Sequence, residues 1–319
     1  MFLSNKWWAI AESKSIRNKP IGLRRLGEDL VLWRNQNRQI VCQSSQCVHR
    51  GANLALGRVF DGCIECPYHG FRFAPDGHCT LIPCEGKDAN ISPAMRVKTY
   101  VVQEAQDLVW LWWGEQKVEY PPIPWFDNLP DRPARWASGT MNWNVPFTRA
   151  AENLLIDVHH VPILHWRILG KLSKLTLLDP FDASMDGDII HTWGQLRADT
   201  AASTQKDGIS FKHWVYFPSL ALFDFGLYWT SFIVIATPID EDNTWAYLRY
   251  YVQFGSPWLS RFMAKLSVWA DLNLAQTDDY KIVLSSQPRQ SGLNVNKFVH
   301  ADKGIVLWHK LYESQINSR

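Results

Sequence analysis

Two short segments, Cys47-Val48-His49-Arg50-Gly51 and Cys66-Pro67-Tyr68-His69-Gly70, each set one thiol beside one imidazole, with sixteen residues between His49 and Cys66. Both side-chain types bind transition metals once they lose a proton. One tetrahedral zinc accepts two Cys and two His, but zinc modules usually pair like with like at spacings of about two to five residues. A mixed-ligand [2Fe-2S] centre needs the mixture seen here, because two thiolates hold one iron and two neutral imidazoles hold the other. A second constellation, Asp157-x-x-His160-x-x-x-x-His165, lies in the other half of the chain. Residues five apart sit about 140° apart on a regular helix, so His160 and His165 share a metal only if the helix breaks between them. Pro162 is the expected break. Two His and one carboxylate make a facial set for non-haem Fe(II) that keeps positions open for O2 and substrate. His159 is the rival of His160 as ligand.

C-x-H-R-G, the sixteen-residue gap, C-P-Y-H-G and D-x-x-H-x4-H together resemble the motifs of the Rieske non-haem iron oxygenases. The resemblance covers most of the chain. NKWWAIA, LGEDLVLWRN, GHCTLIPC and LVWLWWGE look like the framework of a Rieske domain, although Val48 and Phe71 stand where Pro and Trp are common. TPIDEDNTWAYLRY, SSQP and ADKGIVLWHKLYES are similar to oxygenases that tailor natural products, the saxitoxin-pathway hydroxylases being the nearest comparison.

The resemblance implies a Rieske cluster on Cys47, His49, Cys66 and His69, and a mononuclear Fe(II) on His160, His165 and Asp279. Counting back from Gln287-Pro288 favours Asp279, with Asp278 as the alternative. It also implies a homotrimer in which Asp157 is the electron-transfer bridge between His160 and His69 of the partner subunit, and Asn153 matches a nearby family position. The activity implied is that of the oxygenase component of a monooxygenase, taking electrons from a reductase and ferredoxin. With O2 it would hydroxylate, or oxidatively demethylate, a small organic substrate. Two other readings stay open: a Rieske electron-transfer protein, and a zinc-stabilised ligand-binding protein.

All six cysteines fall between Cys42 and Cys84, a clustering that favours metal over disulfides in a chain of 319 residues. With 20% charged residues and a net charge of +2, nothing in the balance suggests nucleic acid as a partner. The stretch MFLSNKWWAIAESKS has too short an apolar run for a secretory signal, so a cytoplasmic location is expected. Residues 215–239 are nearly uncharged and long enough to span a bilayer. Pro218, Asp224 and Gly226 interrupt them, and their β-branched and aromatic content predicts two adjacent buried strands and no integral membrane span.

These sites must be held by an α+β fold. Residues 20–113 alternate as short strands around the turns GED, FDG and APDG, which predicts a small N-terminal β-sandwich. The proline-rich YPPIPWFDNLPDRP (120–133) marks a linker, giving a Rieske domain at 1–118 and a catalytic domain at 119–319. In the second domain, AENLLIDVHHVPILH has helical spacing. Strands over about 189–254, turning at 186–188 and 240–243, predict a curved antiparallel sheet. Residues 256–288 read as an amphipathic helix with Leu259, Phe262, Met263, Leu266 and Trp269 on one side. The chain's 17 Trp and the other aromatics suit a flat apolar pocket. Its expected walls are Phe211, His213, Trp214, Phe223, Tyr228, Trp229 and Tyr247, with Arg249 for an anionic group.

Overall fold

The computed structural model describes residues 2–127, 129, 135–165, 174–199, 208–224 and 230–317. Tyr228 and Trp229 lie outside the described residues. The chain divides into two compact units, Met1–Ile123 and Pro124–Arg319. The expected boundary, after residue 118, falls short of this one because Tyr120 packs on Trp7 and Trp112 with ring centroids 5.8 and 5.3 Å away. Trp7 Nε1 also donates to the Pro121 carbonyl over 2.7 Å.

The first unit holds eleven strands: β1 (Lys6–Glu12), β2 (Ile21–Arg25), β3 (Glu28–Arg34), β4 (Ile40–Ser44), β5 (Arg58–Phe60), β6 (Cys63–Glu65), β7 (Arg72–Phe73), β8 (Cys79–Leu81), β9 (Thr99–Tyr100), β10 (Val102–Ala105) and β11 (Leu108–Trp113). They form three antiparallel sheets, ordered β1-β11-β10, β2-β3-β4-β9 and β5-β6-β7-β8. Two-residue hairpins account for much of this order. At Leu26-Gly27, Asp61-Gly62 and Gln106-Asp107 both central residues have positive φ, the conformation whose twist matches that of the flanking strands. Trp8, Trp33 and Trp110 are fully buried, so core packing absorbs a good part of the tryptophan content.

In the second unit β12 (Trp136–Trp143), β13 (Leu177–Asp186), β14 (Ile189–Arg197), β15 (Ile209–Tyr216), β16 (Leu220–Asp224), β17 (Thr230–Pro238) and β18 (Thr244–Val252) form one antiparallel sheet in the order β12-β18-β17-β16-β15-β14-β13. The uncharged stretch 215–239 supplies β16 and β17, which pair from Leu220–Ile235 to Phe223–Phe232. Among the described residues no helix is long and apolar enough to cross a membrane.

Helices α1 (Phe147–Ala151), α2 (Val161–Leu164), α3 (Pro257–Ala270), α4 (Gln276–Ser285) and α5 (Lys303–Asn317) complete this unit. Two helical expectations need correction. The expected helix over 151–165 is instead α1 widening into a π turn over Glu152–Ile156, an extended residue at Asp157 (φ −70°, ψ 127°), and then α2. Pro162 therefore lies in the first turn of α2, where its missing N–H costs nothing, and does not break a helix.

The stretch 256–288 is likewise divided, by a second π turn at Asp271–Ala275 between α3 and α4. The buried side of α3 is Ser260, Ala264 and Val268, whereas Phe262, Leu266 and Trp269 are exposed. The helix lies so close to the sheet that a Cβ added to Gly139 of β12 would meet Val268 Cγ1 at 2.9 Å, and such an approach admits small side chains.

Candidate metal centres

In the first unit two loops of matching form carry the Cys and His residues. The Cys47 N–H donates to the Ala52 carbonyl (2.9 Å) and the Gly51 N–H to the Cys47 carbonyl (2.8 Å). The Cys66 N–H donates to the Phe71 carbonyl (2.8 Å) and the Gly70 N–H to the Cys66 carbonyl (3.1 Å). Each loop closes through a left-handed glycine, Gly51 at φ +72° and Gly70 at φ +71°, a conformation that costs other residues about 1–2 kcal/mol.

Cys47 and Cys66 are buried in a core with Trp33, Leu54, Ile64 and Phe73. His49 is exposed and His69 half-buried, their ring centroids 4.8 Å apart. Phe71 stacks flat on His49 at 4.7 Å. The thiol end of the pair of loops is thus dry and the imidazole end faces outward. Among the described residues, no three of these four side chains bring donor atoms within 4.8 Å of one another, as one tetrahedral zinc would require.

Burial pushes the Cys47 thiol up to about 11, backbone N–H groups of His49 and Arg50 pull it down, and the neighbouring Cys66 raises it. Both sulfurs become good ligands when a metal's own charge favours the thiolate. His69 is held below the usual imidazole range by desolvation and by His49 and Arg50, and its buried Nδ1 has no hydrogen-bond partner. A neutral imidazole with a free ring nitrogen fits the iron-bound role. Cys42 and Cys79 are buried and Cys63 half-buried, while Cys84 is exposed; all six thiols are free.

In the second unit His160, His165 and Asp279 form the one group of three metal-capable side chains found among the described residues, with all donor atoms within 4.8 Å. His160 Nε2 lies 3.5 Å from Asp279 Oδ1 and His165 Nε2 lies 3.4 Å from Asp279 Oδ2. The local fold explains the convergence. His160 precedes α2 and His165 ends it with ψ at +29°, so the two rings leave the helix from its two ends. Asp279 is on the buried side of α4 with Val283; Asp278 is outside the group.

His159 turns elsewhere. Its Nδ1 is 2.8 Å from Asp157 Oδ1 and its Nε2 is 4.0 Å from Asp302 Oδ1. Asp157 Oδ2 lies 3.1 Å from His160 Nδ1, which leaves His160 Nε2 for the metal side. Burial alone would raise the Asp157 carboxyl, but His160 and His159 outweigh it and hold the group far below the carboxylate range. Asp279 behaves oppositely. Burial lifts it to about 7 against the pull of His160, Asp271 adds to the rise, and the Asn153 side chain opposes it. Burial and the nearby His160 push His165 down to about 4. With Asp279 Oδ1 buried and unpartnered, the three groups fit a bound divalent cation, which supplies the charge they lack.

A buried network braces this site from behind. Glu152 opens the π turn that leads to Asp157, and its carboxylate lies 2.7 Å from His309 Nε2 of α5 and 2.9 Å from Arg149 Nη1. Ser291 Oγ also donates to it.

Asn153, Asp157, His160, His165 and Asp279 form one end of a cavity of about 370 Å³. Of the expected walls, Phe223 lines it, joined by Phe232, Tyr250, Asp271 and Gln276, which sequence reasoning missed. Five expected wall residues do not line it, for reasons of strand alternation and layering. Tyr247 and Arg249 share the β18 face opposite Tyr250. There Arg249 Nε donates to Tyr247 Oη (2.6 Å) and its guanidinium covers Trp136 at 4.0 Å. Trp214 stacks on His191 at 5.0 Å. His213 lies behind Phe223, stacked at 4.2 Å, and burial pushes its imidazole down to about 3. Phe211 packs beside Phe181.

Residues 6–101 match the family model described as Rieske [2Fe-2S] domain. The chain is 35% identical over 169 residues to "Protein TIC 55, chloroplastic" of Pisum sativum, covering 51% of this chain and 30% of that protein. It is 32% identical over 213 residues to "Phenoxybenzoate dioxygenase subunit alpha" of Ectopseudomonas oleovorans, covering 61% of this chain and 52% of the relative. The chain thus spans about a third to half of the length of these curated relatives. Among solved structures, dicamba monooxygenase bound to 3,6-dichlorosalicylic acid superposes with a TM-score of 0.78 at 18% identity, over 99% of this chain and 98% of the other. At that identity the likeness shows the fold: a Rieske domain followed by an antiparallel-sheet domain flanked by helices.

Proposed function

We propose that the chain is the oxygenase component of a Rieske-type monooxygenase that hydroxylates or oxidatively demethylates a small organic, natural-product-like substrate. One observation carries the reading. The donor atoms of His160, His165 and Asp279 converge within 4.8 Å on the wall of a half-open, mostly apolar cavity, in a chain that also contains a Rieske domain. An electron carrier has no use for such a cavity. The names of the relatives, a dioxygenase subunit among the curated proteins and a monooxygenase among the structures, point the same way.

Cys47, His49, Cys66 and His69 would hold the cluster, and His160, His165 and Asp279 the mononuclear iron. When bound, the first supplies one-electron transfer and the second supplies activation of O2 beside the substrate. The chain's own groups prepare that chemistry. Asp157 would orient the His160 ring, its Oδ2 lying 3.1 Å from Nδ1. Asn153 supports the Asp279 carboxylate, and Phe223 and Phe232 keep water off the reacting face.

The outward imidazole end of the first unit suits passage of electrons to a neighbour. Electrons would enter from a reductase and ferredoxin, and Asp157 would link His160 to His69 of the partner subunit in a homotrimer. Six free thiols suit a reducing, cytoplasmic setting.

Anaerobic metal and sulfide analysis with EPR of the reduced protein tests the proposal. It expects two irons and two sulfides in a cluster with a third iron elsewhere, per chain; zinc without sulfide would overturn it.

A further inference from the structure

The cavity beside the iron ligands is not uniformly apolar. Asp271, in the π turn between α3 and α4, is nine-tenths buried and lines it. One carboxylate oxygen accepts from Tyr250 Oη (2.6 Å) and the other from Gln276 Nε2 (2.9 Å). Both donors are neutral, and no ion pair to Asp271 occurs among the described residues. Burial raises the Asp271 carboxyl above its ordinary range and the two donors offset this only in part, so a cationic ligand is what would complete its ionised form. Gln276 Oε1, on the same wall, is also buried and unpartnered.

The adjoining wall is apolar. Phe223, Phe232 and Tyr250, from three adjacent strands, stack in a continuous shelf with successive centroids 4.8 Å apart and planes within 20° of parallel. Because the rings stack on one another their faces are already covered, so the shelf offers flat apolar contact, and the preference for charge rests on Asp271 and Gln276. The guanidinium that could have served an anionic substrate, Arg249, is committed to the opposite face of the sheet.

We infer that the substrate of this site is a flat organic cation, a protonated amine or a relative of it, whose positive group docks on Asp271 and whose body lies along the Phe223–Phe232–Tyr250 shelf. The inference rests on the oxygenase reading for the word substrate, but not for the binding. A volume of about 370 Å³ accommodates two fused rings with a short substituent. Asp271 would act as a specificity residue, setting which end of the molecule points towards His160 and Asp279.

Calorimetric titration of the iron-loaded chain with three probes sharing one ring system tests this: 2-naphthylmethylammonium, 2-naphthylmethanol and 2-naphthoate. The expected order is cation first, by about tenfold or more over the alcohol, with the carboxylate weakest. Asp271→Asn should bring the cation down to the alcohol's affinity while cluster absorbance and iron content stay unchanged. Phe232→Leu, which leaves the carboxylate in place, should weaken the cation and the alcohol alike by several-fold and tests the shelf independently. Tyr250→Phe should keep the preference, since it removes a neutral donor and retains the ring. A wild-type chain with no cation preference, or a preference that survives Asp271→Asn, overturns the inference. Metal analysis of the same sample separates that outcome from failure of the oxygenase reading.

Discussion

The two metal centres are built in opposite ways. In the first unit, four side chains hang from two copies of one five-residue loop, each closed by its own backbone hydrogen bonds and a left-handed glycine. In the second, the three converging groups come from α2 and α4, with more than a hundred residues between His165 and Asp279. Their alignment depends on π turns at Glu152–Ile156 and Asp271–Ala275 and on the buried network at Glu152. The first site is set by local backbone geometry, so its loops depend most on their two glycines and on the four Cys and His side chains. The second is set by side-chain contacts between distant elements, so it has many ways to fail but can also be retuned from many positions.

The largest expected effect is in the second unit. Glu152→Ala leaves Arg149 and His309 buried without their common partner, and a loss of about 3–5 kcal/mol is expected for that unit in denaturant unfolding. The visible spectrum of a loaded cluster should survive at denaturant concentrations where this unit has melted. If both units lose structure together, the contrast between them is wrong. Asp279→Ala comes next. Iron binding at the second site should fall by more than the ~100-fold that loss of an outer partner costs, measured by equilibrium dialysis against Fe(II).

Asp157→Asn keeps the shape but weakens the hold on His160 Nδ1, so product formation should drop by about 10–100-fold at unchanged cluster absorbance. Retained turnover would remove Asp157 from the site. The smallest effect sharpens the comparison within the first unit. Gly70→Ala meets both the left-handed backbone cost of about 1–2 kcal/mol and Pro83 Cγ at 3.1 Å, whereas Gly51→Ala meets open space. Thermal melting of the loaded domain should rank Gly70→Ala below Gly51→Ala, and a reversed order would mean that the loops are not equivalent.

The same contrast decides what the sequence makes legible. Cys47, His49, Cys66 and His69 are readable because ligands on one loop leave a spacing behind. The strands across 215–239 are readable because β-branched and aromatic residues, with Pro218 and Asp224 as interruptions, leave little else for that stretch to be. The spacing of Asp157, His160 and His165 is visible, but the reason they converge is not. Pro162 signals a break, whereas the chain uses it to begin a helix.

The π turns have no composition of their own, and each adds a residue that shifts the helical phase after it. That is why Asp271 carries no signal in the sequence, whereas the stripe through Phe262, Leu266 and Trp269 falls on the exposed side of α3 because the close approach to the sheet selects the small-residue face of Ser260, Ala264 and Val268. The pocket wall fails for a simpler reason. Period-two alternation sorts β18 into Tyr250 on one face and Tyr247 and Arg249 on the other, but it does not say which face holds the cavity.

The distribution of cysteines has a practical consequence. Every thiol lies between residues 42 and 84, Cys84 is exposed, and Cys42 is buried with its thiol pushed well above the usual range. A maleimide dye or spin label applied to the intact chain therefore reports from the first unit alone, leaving Pro124–Arg319 unlabelled. A single new cysteine placed anywhere in that second unit becomes an address of its own. Distances between the two could then be read in solution without first removing Cys47 and Cys66.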